Sequence, residues 1–134
     1  MTKVHHLALT ASDMKISSAF YDAVLGPLGY KRHLTKDTIC TWIGQMPEIL
    51  LYASRPAGRK STHETYAPGI HHISFQVDDR NTVNEVFEAV KKVGARILDE
   101  PKEYPNYSEG YFAVFFLDPD GVKLEVAHIP NPTS

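Results

Sequence analysis

A chain of 134 residues and 15.0 kDa has room for one ordinary domain or two small fused modules. With 43% hydrophobic and 22% charged residues it has a globular composition, which excludes disordered and fibrous classes, and no apolar run nears the ~18 residues of a membrane span. A formal charge of −2, a pI near 6.4 and no Lys/Arg cluster longer than a pair exclude nucleic-acid binding driven by phosphate neutralisation. The opening Met1-Thr2-Lys3-Val4-His5 lacks the apolar stretch of a signal peptide, and the single cysteine, Cys40, leaves no internal disulfide. Both features set the expectation of a reducing, cytoplasmic location.

In chain order, residues 3–10 alternate in polarity and are rich in β-formers, so they read as a strand. Ser12 or Asp13 can cap the helix that follows. In it Ile16, Ala19, Phe20, Ala23 and Val24 recur at helical spacing, and Gly26-Pro27 closes it. Strand-like runs follow at about 30–36, 38–44 and 49–54, and Arg55–Gly69 reads as a linker. The order then starts again. A strand at 70–77 leads to a helix carrying Val83, Val86, Phe87 and Val90, with Thr82-x-x-Glu85 resembling a capping box and Gly94 as the stop. Further strand-like runs lie at about 95–99, 111–117 and 122–128. Asp118-Pro119-Asp120-Gly121 supplies a tight turn before the last of them, and the tail at 131–134 is expected to fray.

The two halves are copies. Residues 5–13 read HHLALTASD and residues 71–79 read HHISFQVDD, so position 5 maps to 71, a shift of 66. At the same shift Tyr21 meets Phe87, Ala23 meets Ala89 and Val24 meets Val90. The element order is therefore βαβββ twice.

Strand alternation sorts the polar residues, because side chains two apart share a face. Leu7 and Leu9 form the helix-covering face of the first strand and leave His6 on the other side with Ala8. Ile73, Phe75 and Val77 do the same for His72, Ser74 and Gln76, and Leu124 and Val126 do so for Glu125. With each helix on one side of its sheet, His6, His72 and Glu125 project from the uncovered side. Two curved sheets facing each other would place them in one cleft. Two imidazoles and a carboxylate are metal-binding chemistry for Fe, Mn, Ni, Cu or Zn, and three facial ligands leave positions open for substrate, water or oxygen.

These segments resemble the vicinal oxygen chelate superfamily, which includes glyoxalase I, extradiol dioxygenases, fosfomycin-resistance enzymes and bleomycin-binding proteins. The resemblance spans essentially the whole chain. It rests on His6-Leu7-Ala8-Leu9 running to Asp13, Phe20-Tyr21-Asp22-Ala23-Val24-Leu25-Gly26, His72-Ile73-Ser74-Phe75 running to Asp79, and Phe116 through Glu125 with its Asp-Pro-Asp-Gly turn. It implies an α+β fold of two tandem βαβββ modules, about 1–54 and 70–128, forming a cupped mixed β-sheet with the helices outside. It also implies one domain over 1–134 and a divalent metal, Fe, Mn, Ni or Zn, held by His6, His72 and Glu125. The doublet partners His5 and His71 would lie on the covered faces as packing or hydrogen-bonding residues.

Glyoxalase-like members take a fourth ligand from the last strand of the first module. Here that position falls on Leu50 or Leu51, with Glu48 the nearest carboxylate, so the three-ligand pattern favours dioxygenase-like chemistry on a small oxygen-rich substrate. A glyoxalase-type lyase or isomerase, a fosfomycin-type thiol transferase and a non-catalytic bleomycin-type binder are the alternatives. Ala8 stands where the thiol transferases have Thr. Tyr107 and Tyr111, in the polar-aromatic stretch Glu103–Tyr111, are candidates for hydrogen bonding or acid catalysis at the cleft mouth. Trp42 and Tyr52 read either as pocket lining or as core, His33, His63 and His128 as surface, and Cys40 as a buried thiol. The resemblance further implies a homodimer with a small molecule as partner, while charge and the lack of a long apolar run set the expectation of neither nucleic acid nor membrane.

Overall fold

The fold is that of a computed structural model, in which residues 1–55 and 62–132 are described. Residues 56–61 of the expected linker and the last two residues of the expected frayed tail lie outside the described residues. The chain divides into two compact units, Met1–Thr62 and His63–Ser134. Each is one βαβββ module.

In the first unit the elements are β1 (His6–Ala11), α1 (Met14–Leu25), β2 (Lys31–Thr35), β3 (Ile39–Ile43) and β4 (Glu48–Ala53), and the sheet order is β1-β4-β3-β2. The first strand runs parallel to the last, and the other neighbours are antiparallel. The second unit repeats this with β5 (Ile73–Val77), α2 (Arg80–Lys92), β6 (Arg96–Glu103), β7 (Phe112–Leu117) and β8 (Lys123–His128), ordered β5-β8-β7-β6. Two four-stranded mixed sheets with one helix each are the α+β architecture expected of tandem modules.

Each helix buries one sheet face. In the first unit Tyr21, Val24 and Leu25 pack over Trp42, Ile49 and Leu51; in the second Val83, Val86 and Val90 pack over Phe116, Leu124 and Val126. The register confirms the alternation: Leu7 stands beside Ile49 and Leu9 beside Leu51, which leaves His6, Ala8 and Thr10 on the opposite face with Glu48, Leu50 and Tyr52. The face of α1 differs from expectation. Ile16 and Ala19 are exposed, while Ser17 and Ser18 are buried, because small side chains let the helix approach the sheet closely and rotate the apolar stripe onto Tyr21 and Leu25.

Local signals explain the helix ends. Asp13 caps α1, its Oδ1 accepting from the Ile16 N–H at 3.0 Å. The α2 cap is Asp79 and not Thr82. The Asp79 carboxylate accepts from both the Thr82 N–H at 2.8 Å and the Thr82 hydroxyl at 2.9 Å, so Thr82 sits inside the first turn as a donor. An anion beats a hydroxyl for the orphan N–H groups of a helix start, which is why the capping box does not form there. At the Asp-Pro-Asp-Gly turn, Asp118 Oδ1 accepts from the N–H groups of Asp120 and Val122 at 2.9 and 2.8 Å. Gly121 has φ +91°, a conformation that favours glycine. This turn launches β8 and thereby places Glu125.

Trp42 is core: it is 1% exposed and donates its indole N–H to Asp22 Oδ1 at 2.9 Å. Tyr52 lies on the uncovered face of its sheet beside Thr10. Cys40 is a free, buried thiol. His33 is exposed, but His63 and His128 are half-buried, the latter with Nδ1 3.3 Å from the Val77 carbonyl, because each lies against a β8 neighbour or its turn. Among the described residues, no helix is long and apolar enough to cross a membrane.

Candidate functional site

The uncovered face of the second unit carries a connected polar cluster. Ser74 pairs with Glu125 across the parallel β5–β8 ladder, and Phe115 pairs with Glu125 from the other side. Paired residues share a face, so Glu125 is flanked on both sides. It is only 3% exposed. A carboxylate so buried requires donors. His72, two residues before Ser74 and on the same face, brings Nε2 to 3.1 Å from Glu125 Oε1. The Tyr111 phenol donates to Glu125 Oε2, and Ser74 hydrogen-bonds that phenol.

Around this pair lies an aromatic wall. Ala113, Phe115 and Ala127 form a buried patch with Tyr104, Tyr111 and Ile129 packed against it. The rings of Tyr104 and Tyr107 stack at 5.1 Å between centroids, and both meet the Tyr111 ring edge-on, at 6.2 and 5.2 Å. Tyr107 itself is 49% exposed and reaches Glu125 only through Tyr111. The Tyr104 hydroxyl is buried without a hydrogen-bond partner. Burial first, then the nearby Asp99, Tyr107 and Glu125, push the Tyr104 phenol up to about 12. Burial and the bond to Glu125 raise Tyr111 as well, so it stays protonated as a donor.

The two histidine doublets repeat a contact. His71 Nδ1 lies 2.7 Å from His72 Nδ1, and His5 Nδ1 lies 3.0 Å from His6 Nδ1. His5 and His71 are exposed and do not pack under the helices, because both doublets fall where the strands begin and the pleat has not yet turned neighbours to opposite faces. The Tyr66 and His71 rings make a T-shaped contact with centroids 4.8 Å apart. Desolvation and the charges of His72 and Lys123 lower the His71 pKa.

In the first unit, His6 stands beside Glu48 in the β1–β4 register. Ala8 pairs with Leu50 as Ser74 pairs with Glu125, so Leu50, and not Leu51, occupies the Glu125 position of the repeat; Leu51 is buried under α1.

The structure thus brings together His72, Glu125 and Tyr111 in one unit, with Tyr107 one contact removed, and sets His6 and Glu48 side by side in the other. Sequence reasoning missed Tyr104 and Ser74. The spacing Tyr104, Tyr107, Tyr111 was the available signal for the first. Among the described residues, no group of three or more His, Cys, Asp or Glu side chains forms a metal-binding cluster. The donor chemistry of His72 and Glu125 nevertheless fits a divalent first-row ion. Their 3.1 Å separation matches the roughly 3 Å between adjacent ligands at bonds of about 2.1 Å.

A family model described as Glyoxalase/Bleomycin resistance protein/Dioxygenase superfamily matches residues 3–126. The chain is 28% identical over 130 residues to the uncharacterized protein YaeR of Escherichia coli (strain K12), covering 94% of this chain and 95% of that protein. A crystal structure of a glyoxylase/bleomycin resistance protein/dioxygenase domain from Frankia sp. EAN1pec superposes with a TM-score of 0.74 at 26% identity, covering 96% of this chain and 98% of that one. The lactoylglutathione lyase from Agrobacterium tumefaciens shares the fold, with a TM-score of 0.64 at 21% identity over 96% of this chain and 94% of that one.

Proposed function

Since the chain belongs to the glyoxalase/bleomycin resistance protein/dioxygenase superfamily, we propose that it is a divalent-metal-dependent enzyme acting on a small oxygen-rich substrate, with dioxygenase-like chemistry favoured. Its two modules act as one domain. The observation that carries this reading is the buried Glu125 carboxylate, held between His72 and the Tyr111 phenol on the uncovered face of its sheet. Such a group is costly to bury for stability alone and is suited to a ligand's role. His72 and Glu125 would hold the metal, and His6 is proposed as the third ligand from its place in the repeat. When bound, the metal supplies Lewis acidity toward vicinal substrate oxygens, and iron or manganese adds reactivity toward O₂.

The chain's own residues do the rest. Tyr111 fixes one carboxylate oxygen of Glu125 and leaves the other toward His72. Tyr104, Tyr107 and Phe115 present ring faces and edges that exclude water and suit a planar substrate. The unpartnered Tyr104 hydroxyl supplies a donor for a substrate oxygen.

A glyoxalase-type lyase is the second reading, favoured by Glu48 standing beside His6 as a potential fourth ligand. Elemental analysis of untagged protein, followed by anaerobic reconstitution with Fe(II), Ni(II) or Zn(II), separates the two. O₂ uptake with catechol-type substrates by the iron form alone supports the first, since zinc has no accessible second oxidation state. Turnover of a hemithioacetal by the Ni or Zn form without O₂ uptake supports the second, and protein that takes up no metal refutes both. The same reading makes the protein a homodimer. Light scattering should give twice the 15.0 kDa chain mass, and a monomer refutes the assembly.

A further inference from the structure

We propose that His71 is a positioning residue for the metal centre: its Nδ1 accepts the His72 Nδ1–H and so frees His72 Nε2 for the ion. This inference rests on the metal reading above and deepens it. The two rings approach through like atoms, Nδ1 to Nδ1, at 2.7 Å. Two ring nitrogens so close share one proton, with one ring donating and the other accepting. His72 has no freedom in choosing its role, because its Nε2 faces Glu125 Oε1 at 3.1 Å.

Without metal, the carboxylate at that distance accepts a hydrogen bond from the His72 Nε2–H, so in the neutral ring Nδ1 is the acceptor and His71 Nδ1–H the donor. A ligating Nε2 must be bare. Loading therefore moves the shared proton from His71 Nδ1 to His72 Nδ1. The His72 Nε2 proton leaves to solvent, and His71 Nε2 takes one up, so both rings remain neutral and no net proton is released by the doublet. His71 is exposed, which gives its Nε2 the water this exchange requires. The Tyr66 ring meets the His71 ring in a T-shaped contact with centroids 4.8 Å apart. The His5–His6 pair repeats the Nδ1 contact at 3.0 Å in the other unit, which argues for a built device over a chance rotamer.

The test is Zn(II) titration calorimetry on the full chain and on His71→Leu, His71→Asn and His72→Ala, with two-bond ¹H–¹⁵N spectra of the imidazoles. The Asn carbonyl falls near the place of Nδ1 and still accepts. His71→Leu is expected to weaken Zn(II) by about 10–100-fold, as loss of a partner behind a ligating imidazole does, and His71→Asn to restore most of it. In the spectra, Zn(II) should convert His72 to the Nδ1–H tautomer and His71 to Nε2–H. Wild-type affinity in His71→Leu with binding lost in His72→Ala overturns the role of His71 alone, as does His71 keeping Nδ1–H in the zinc form. A wild-type chain that binds no Zn(II) overturns the metal reading together with it.

Discussion

Replacing Tyr111 with Phe isolates the bond that orients Glu125. The change deletes one oxygen and keeps the ring, so the edge contacts to Tyr104 and Tyr107 at 6.2 and 5.2 Å persist and the packing contribution is close to zero. What disappears is a hydrogen bond to a carboxylate that is 3% exposed. Bonds to charged groups are worth about 1.5–3 kcal/mol, and because Tyr111 is only half-buried, water can partly replace it, which sets the expectation at about 1.5–2 kcal/mol. That is roughly a 10–30-fold change in the unfolding constant. Urea denaturation should show a lower midpoint with an unchanged slope, since no additional surface is exposed. A cycle with Glu125→Gln should give a coupling of roughly 1 kcal/mol, because Gln offers the phenol a neutral acceptor in place of a charged one and so weakens the bond that Tyr111→Phe removes. A Tyr111→Phe protein within about 0.5 kcal/mol of wild type, with an additive double mutant, would refute the argument that this phenol satisfies the buried carboxylate.

Absorbance titration of the seven tyrosines should leave Tyr104 and Tyr111 protonated at pH 10 and show Tyr30 ionising above the ordinary value, with Tyr104 ionising near 12 and its signal absent in Tyr104→Phe. Their folded values lie above the unfolded value of 10.0, so the stability they contribute is present below that pH and is lost as pH rises through the folded values. The sign reverses for Asp79, whose pKa is lowered mainly by the Thr82 N–H. Its contribution holds above the ordinary 3.8 and is lost as pH falls through the folded value, so Asp79→Asn should flatten the acid limb of a thermal-stability profile. Asp13→Ala removes the cap of α1 and should cost about 1 kcal/mol in urea denaturation, with Asp13→Asn recovering most of it.

The repeat at a shift of 66, the βαβββ order, the faces of β1, β5 and β8 and the Asp-Pro-Asp-Gly turn were all legible in the sequence. They depend on contacts within a few residues or on the two-residue period of a strand, and such regularities are written along the chain. That reading put His72 and Glu125 on uncovered faces and pointed to Tyr111. It could not say which residues stand beside one another across strands, because ladder partners far apart in sequence are set by packing. Only the tertiary structure placed Leu50 in the position of Glu125, set Glu48 beside His6 and aimed the Tyr111 hydroxyl at the carboxylate. It also decided two competitions that local rules left open. Asp79 captured the α2 cap from Thr82 by its charge, and small serines in α1 turned Tyr21 and Leu25, not Ile16, toward the sheet. Finally, ring rotation about the side-chain bonds has no sequence signature, so the Nδ1 contact within each histidine doublet emerges only when the strands that begin there are in place.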